Sequence, residues 1–96
     1  MKSGYVYILT NRKDGVLYIG VTNNLCRRTQ EHKAGNPFGF STMYNTKKLV
    51  YYEKYEDIRE AIQREKQLKK WKRNRKIVLI EKENPERKDI SEEWNE

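Results

Sequence analysis

Hydrophobic and polar positions in the first third of the chain alternate with a period of two. Tyr5 to Leu9 and Val16 to Val21 are rich in aromatic and β-branched residues, which suit a pleated, half-buried surface. Alternation sets Tyr5, Tyr7 and Leu9 on one face of the first run and Val6 and Ile8 on the other. In the second run Leu17 and Ile19 share a face, while Tyr18 and Gly20 share the opposite one and leave space beside the phenol. Asn11-Arg12-Lys13-Asp14-Gly15 between the runs reads as a turn, with Asp-Gly supplying the positive-φ position. An antiparallel hairpin is predicted.

The period then lengthens. Asn23 or Asn24 can cap a helix running from Leu25 to about Ala34 and stopped by Gly35 and Pro37. Arg28 and His32 are four apart on it and face the same way. Gly35 to Thr46 shows no period and is expected to be a loop. Its Phe38, Phe40, Met43 and Tyr44 either anchor that loop or stack on exposed bases. Lys47 to Tyr55 predicts a third strand, Leu49, Tyr51 and Glu53 alternating against Val50, Tyr52 and Lys54.

Asp57, with Glu60 three residues on, opens a longer helix whose apolar stripe is Ile58, Ala61, Ile62 and Leu68. Glu65 falls in the middle of that stripe. A carboxylate facing a core is costly unless it is paired, protonated or bound to a cation. An i,i+4 ion pair with Lys69 is the plain alternative to a bound cation. Beyond Arg73, Ile77, Leu79 and Ile80 predict a short last helix ending near Asn84-Pro85. The acidic tail from Glu86 is expected to fray or to fold back on the basic helix.

Length and composition narrow the class. The 96 residues make one domain with a small core, and a mean hydropathy of −1.13 leaves little to bury. No run approaches the roughly 18 apolar residues of a membrane helix, and the first residues lack a secretory signal pattern. The lone Cys26 cannot form an internal disulfide, which fits a reducing cytoplasm, and it reads as a small helix filler. With only Cys26 and His32 as soft ligands a structural zinc site is excluded. Any metal must be held by oxygen, which points to Mg2+ or Mn2+. Charge is unevenly placed. Residues 58–76 hold nine basic and two acidic side chains, and the rest of the chain twelve of each, so this segment carries the whole net charge of +7. A polyanion footprint is expected there, with Lys66, Lys69, Lys70, Lys72 and Arg73 as contacts. The plain alternative is a solvated helix face.

Tyr5-Val6-Tyr7, Tyr18-Ile19-Gly20, then Arg28 eight residues on and His32 one helical turn later form an ordered set that resembles the GIY-YIG nuclease superfamily. Glu65 corresponds to the family's metal-binding glutamate. The resemblance covers roughly residues 4–84 and is similar in kind to the amino-terminal nuclease domain of a bacterial excision-repair endonuclease. Two positions depart from it: Tyr5 stands at the glycine of the first motif, and Val21 stands where DNA-repair relatives often carry lysine.

The expected fold is α/β, a small, mainly antiparallel three-stranded sheet flanked by helices, with residues 1–84 as a nuclease-like domain and 85–96 as an acidic tail. The resemblance implies a metal-dependent endonuclease hydrolysing DNA, RNA remaining open, in repair or recombination; the oligomeric state is open, with a monomer favoured. Tyr7, Tyr18, Arg28, His32 and Glu65 would form its catalytic set, Glu65 as metal ligand. Imidazole is better matched than phenol to accept a proton at neutral pH, while family mechanisms often use a tyrosine, so the base is open among His32, Tyr7 and Tyr18. A non-catalytic nucleic-acid-binding module is the other reading of the same charge.

Overall fold

A computed structural model describes residues 2–34 and 46–94. Strands β1 (Gly4–Thr10) and β2 (Leu17–Thr22) form the hairpin, and β3 (Lys48–Tyr55) pairs with the far side of β1. The sheet is antiparallel throughout, in the order β2-β1-β3. The central strand is buried on both faces, which is why its sequence reads as an almost unbroken apolar run. Helix α1 (Leu25–Lys33) follows the hairpin. Helices α2 (Ile58–Lys70) and α3 (Arg73–Glu83) follow β3, and a short 3-10 turn spans Ile90–Trp94.

The two sheet faces carry separate cores. Val6, Ile8 and Ile19 meet Ala61 and Leu68 of α2 and Ile80 of α3. Tyr7 and Leu9 meet Leu49 and Leu25 of α1, with Ile90 and Trp94 packed at the margin. The predicted alternation holds along β1 and β2 and fails in β3. There a bulge opposite Ile8 and Leu9 shifts the register. Leu49 joins the Tyr7 face, and Val50 and Tyr51 both join the Val6 face, because an extra residue on one strand reverses every side chain before it.

Local signals in the sequence are realised with small changes. Asp14, rather than Gly15, takes the positive φ, at 62°. Asn24 is the residue that caps α1, its side chain accepting from the Arg27 amide at 3.0 Å. Asp57 caps α2 through the Arg59 amide at 2.9 Å. Ile62 is 36% exposed and lies off the buried stripe, which rests on Ala61 and Leu68 with Ile58 packed at the strand's start. The residues Phe38, Phe40, Met43 and Tyr44 fall outside the described residues.

The described part of the tail neither frays nor lies on the basic helix. Asn84 donates to the Val50 carbonyl at 3.0 Å, and Asp89 accepts from the Leu49 amide at 3.1 Å, so both occupy backbone groups of edge strand β3 at its bulge. Asp89 also pairs with Lys33 of α1. Burial works against that carboxylate's charge, but Lys33, Ser91 and the Leu49 amide outweigh it and hold Asp89 below its usual value. Covering an edge in this way removes a template for strand pairing.

A second polar cluster joins β3 to α2. Glu53 accepts from the hydroxyls of Tyr51 and Tyr55 at 2.6 and 2.7 Å and pairs with Arg64 at 3.0 Å. Arg64 and Arg75 flank the Trp71 ring at 5.1 and 3.8 Å, fastening the junction between α2 and α3.

Candidate active site

Pairing register explains the second motif. Tyr7 lies directly across from Gly20 in the hairpin. A Cβ at position 20 would come within 2.5 Å of the Tyr7 hydroxyl oxygen and 3.1 Å of the Tyr18 ring. The space expected beside Tyr18 is therefore filled by the chain's own Tyr7 phenol, and only glycine lets it lie there. Gly20→Ala should destabilise the fold by about 1–3 kcal/mol, as overpacked sites do. An ordinary strand glycine would instead gain roughly 0.5–1 kcal/mol from the same change. Thermal melting decides the sign, and a variant as stable as the parent would show that Tyr7 moves aside freely.

Helix α1 brings its side chains onto the same spot. The Tyr7 hydroxyl is 3.3 Å from His32 Nε2. The rings of Tyr7, Tyr18 and His32 form a triangle with centroid separations of 6.3, 5.9 and 5.5 Å. Tyr7 and His32 are buried, and Tyr18 is half-buried. Arg28, one turn before His32, lies 3.2 Å from Glu31 by its Nε. The carboxylate is out of line with that N–H, which is left buried without a hydrogen-bond partner among the described residues. The Arg28 side chain as a whole is 38% exposed, and the remaining donors of its guanidinium can meet an incoming anion. The i,i+3 spacing of Arg28 and Glu31 is visible in the sequence, yet nothing in that spacing marks Glu31 as a neighbour of the site.

Electrostatics separates the two proton-bearing groups. Burial first, then the Tyr18 phenol, push the Tyr7 pKa well above its usual value; Arg28 pulls against them and Glu65 adds to the rise. Tyr7 thus stays protonated at neutral pH. Burial, helped by Arg28 and opposed by Glu31, lowers His32 below its usual value, so its imidazole is neutral at pH 7.

Glu65 projects from α2, which packs across β1 and β2. Its side chain is 16% exposed and pairs with Lys69 at 3.3 Å, the i,i+4 partner that the spacing allowed. Lys69 itself is 56% exposed and is the more easily displaced of the two. Among the described residues no group of three or more His, Cys, Asp or Glu side chains gathers. A divalent ion held at Glu65 would therefore have at most two such side chains among the described residues and take its other oxygens from water and phosphate. That donor set fits Mg2+, which keeps most of its waters, and does not fit zinc.

The predicted nucleic-acid contacts do not form a single free row. Lys66, Lys70 and Lys72 are exposed, Lys69 is held by Glu65, and Arg73 donates to the Gly15 carbonyl and so ties α3 to the hairpin turn. No described helix is long and apolar enough to cross a membrane.

Residues 3–78 match the GIY-YIG catalytic domain. A UPF0213 protein of Clostridium perfringens is 41% identical over 91 residues, spanning 95% of this chain and 97% of its own. A UPF0213 protein of Syntrophus aciditrophicus is 40% identical over 89 residues, 91% of this chain and 99% of its own. The solution structure of a UPF0213 protein from Bacillus halodurans is similar with a TM-score of 0.57 and 27% identity, covering 94% of this chain and 95% of that one. The matched domain covers most of the chain, both motifs, Arg28, His32 and Glu65, and so this protein belongs to the GIY-YIG family, whose activity is of the nuclease type.

Proposed function

We propose that the protein is a divalent-metal-dependent endonuclease that hydrolyses phosphodiester bonds in DNA, the kind of cut used in repair and recombination. The observation that carries this function is the convergence of Tyr7, Tyr18 and His32 with Arg28, whose side chain is 38% exposed. A phosphodiester resists attack because the nucleophile meets negative charge and the leaving alkoxide is poor. Arg28 would take the scissile phosphate, its donors neutralising charge that grows as the fifth bond to phosphorus forms. Glu65 would hold Mg2+ or Mn2+, which when bound supplies Lewis-acid stabilisation of the phosphate oxygens.

The proton needs a route. The phenol of Tyr7, protonated and 3.3 Å from His32 Nε2, can accept the proton of an attacking water as it passes its own to the neutral imidazole. No phenolate accumulates in such a relay, which suits a phenol of raised pKa. His32 is then the terminal base, and Tyr18 packs against both rings.

Purified protein incubated with labelled duplex, branched and single-stranded DNA, and with RNA of the same sequences, should cleave DNA in Mg2+ or Mn2+ and not in EDTA. Failure on every substrate with metal present would leave a non-catalytic binding module. The rate should rise with pH along a limb set by His32, lying below 6.5 because the folded state disfavours the imidazolium. His32→Ala should lower the rate and abolish this limb. An unaltered profile in the variant would move the base role to Tyr7 or Tyr18.

A further inference from the structure

A recess on the far side of Tyr18 carries charge that the candidate active site does not use. Leu17, Tyr18 and Ile19 of edge strand β2 line it together with Lys69 of α2 and Lys76 of α3, enclosing about 240 Å3. Among the described residues no acidic side chain lines it. Lys76 is half-buried and has no ion pair among the described residues, and Lys69 reaches it while paired with Glu65. Two lysines on one recess with no acidic lining residue give it positive charge and N–H donors suited to an anion with several oxygens. Tyr18 belongs to both places: its ring centroid lies 5.5 Å from that of His32, and the residue lines the cleft. The cleft therefore adjoins the candidate active site along β2.

We propose that this cleft is a backbone-phosphate subsite for a nucleic-acid strand whose scissile phosphate lies at Arg28. Lys76 is its anchor, and Lys69 is shared between Glu65 and the bound phosphate. The shared lysine has a physical reason. A carboxylate beside a phosphate would repel it, and an ammonium 3.3 Å from Glu65 screens that repulsion without leaving the cleft. The subsite rests on the nucleic-acid reading of the chain but makes a separate claim about where one phosphate sits.

Two measurements on the full chain test it. In the first, inorganic phosphate is titrated into labelled protein and followed by amide NMR. The amides of Leu17, Tyr18, Ile19 and Lys76 should shift together. Lys76→Gln should weaken that binding several-fold, and Lys76→Arg should retain it. Lys54→Gln, on β3 at the other edge of the sheet, should leave it unchanged. Shifts elsewhere, or equal binding by Lys76→Gln, would overturn the subsite. In the second, a fluorescein-labelled 30-base-pair duplex is bound in EDTA across a salt series. Lys76→Gln should reduce the slope of log affinity against log salt by about 0.9, one phosphate contact, with Lys54→Gln unchanged. A parent protein that binds and cleaves DNA while Lys76→Gln keeps its affinity and slope would sink the subsite and leave the nuclease standing. Phosphate shifts at the cleft in a protein that binds no nucleic acid would have the opposite meaning: the anion site stands and its nucleic-acid assignment falls.

Discussion

Glu65→Gln is expected to lower metal-dependent cleavage by orders of magnitude while leaving the fold intact. The amide keeps the volume and one carbonyl acceptor but lacks the formal charge a divalent ion requires, and among the described residues no cluster of carboxylates stands by to replace it. Stability responds to two small, opposing changes. The pair with Lys69 disappears, and exposed i,i+4 pairs are worth only about 0.2–0.5 kcal/mol. At the same time a mostly covered carboxylate no longer has to be kept charged. The melting temperature in EDTA should therefore shift by no more than a few degrees, and DNA binding in EDTA should persist. Cleavage, melting and affinity measured on one preparation separate the possibilities. A variant that cuts as fast as the parent would reduce Glu65 to a helix-surface partner of Lys69.

Arg28→Ala should be as damaging, through a different physical cause. Its guanidinium does not titrate in the working range, so the loss should be about 10²–10³-fold at every pH rather than along one limb. Arg28→Lys should recover little, because an ammonium cannot reproduce two parallel donors on one phosphate. The unfolding midpoint should move little: Glu31 is an i,i+3 neighbour on a partly exposed helix face, and the Tyr7 hydroxyl keeps His32 beside it when its Arg28 contact is lost. Rates within a few-fold of the parent across pH 5–9 would remove Arg28 from the chemistry and with it the main anion-stabilising group of the site.

The hairpin, the Asp57 cap, an asparagine cap at position 23 or 24, the three strands and the helices after Leu25 and Asp57 were all legible in the sequence. Each depends on contacts within a few residues: a period of two or near four, a side chain accepting from an amide two or three positions on, a turn that reverses the chain. The motif residues were legible for a related reason. Tyr7, Tyr18, Gly20, Arg28 and His32 occur at fixed intervals in adjoining elements, so spacing alone sets Tyr18 with Gly20 on one face of their strand and Arg28 with His32 on one helix face.

What only the tertiary structure decided involves partners far apart along the chain, or a break in local regularity. The bulge in β3 overrode strict alternation because a single extra residue is invisible to a period yet moves Leu49 to the Tyr7 face and Val50 with Tyr51 to the other. The tail's composition said acidic, but Asp89 finds Lys33 and the Leu49 amide, contacts 56 and 40 residues distant. The purpose of Gly20 was likewise hidden until pairing set it against Tyr7, since its absent side chain matters only for what lies across the strand. Proton affinities at the site belong to the same class. Burial is a property of the whole fold, and it is burial, more than any neighbour in sequence, that raises Tyr7 and lowers His32.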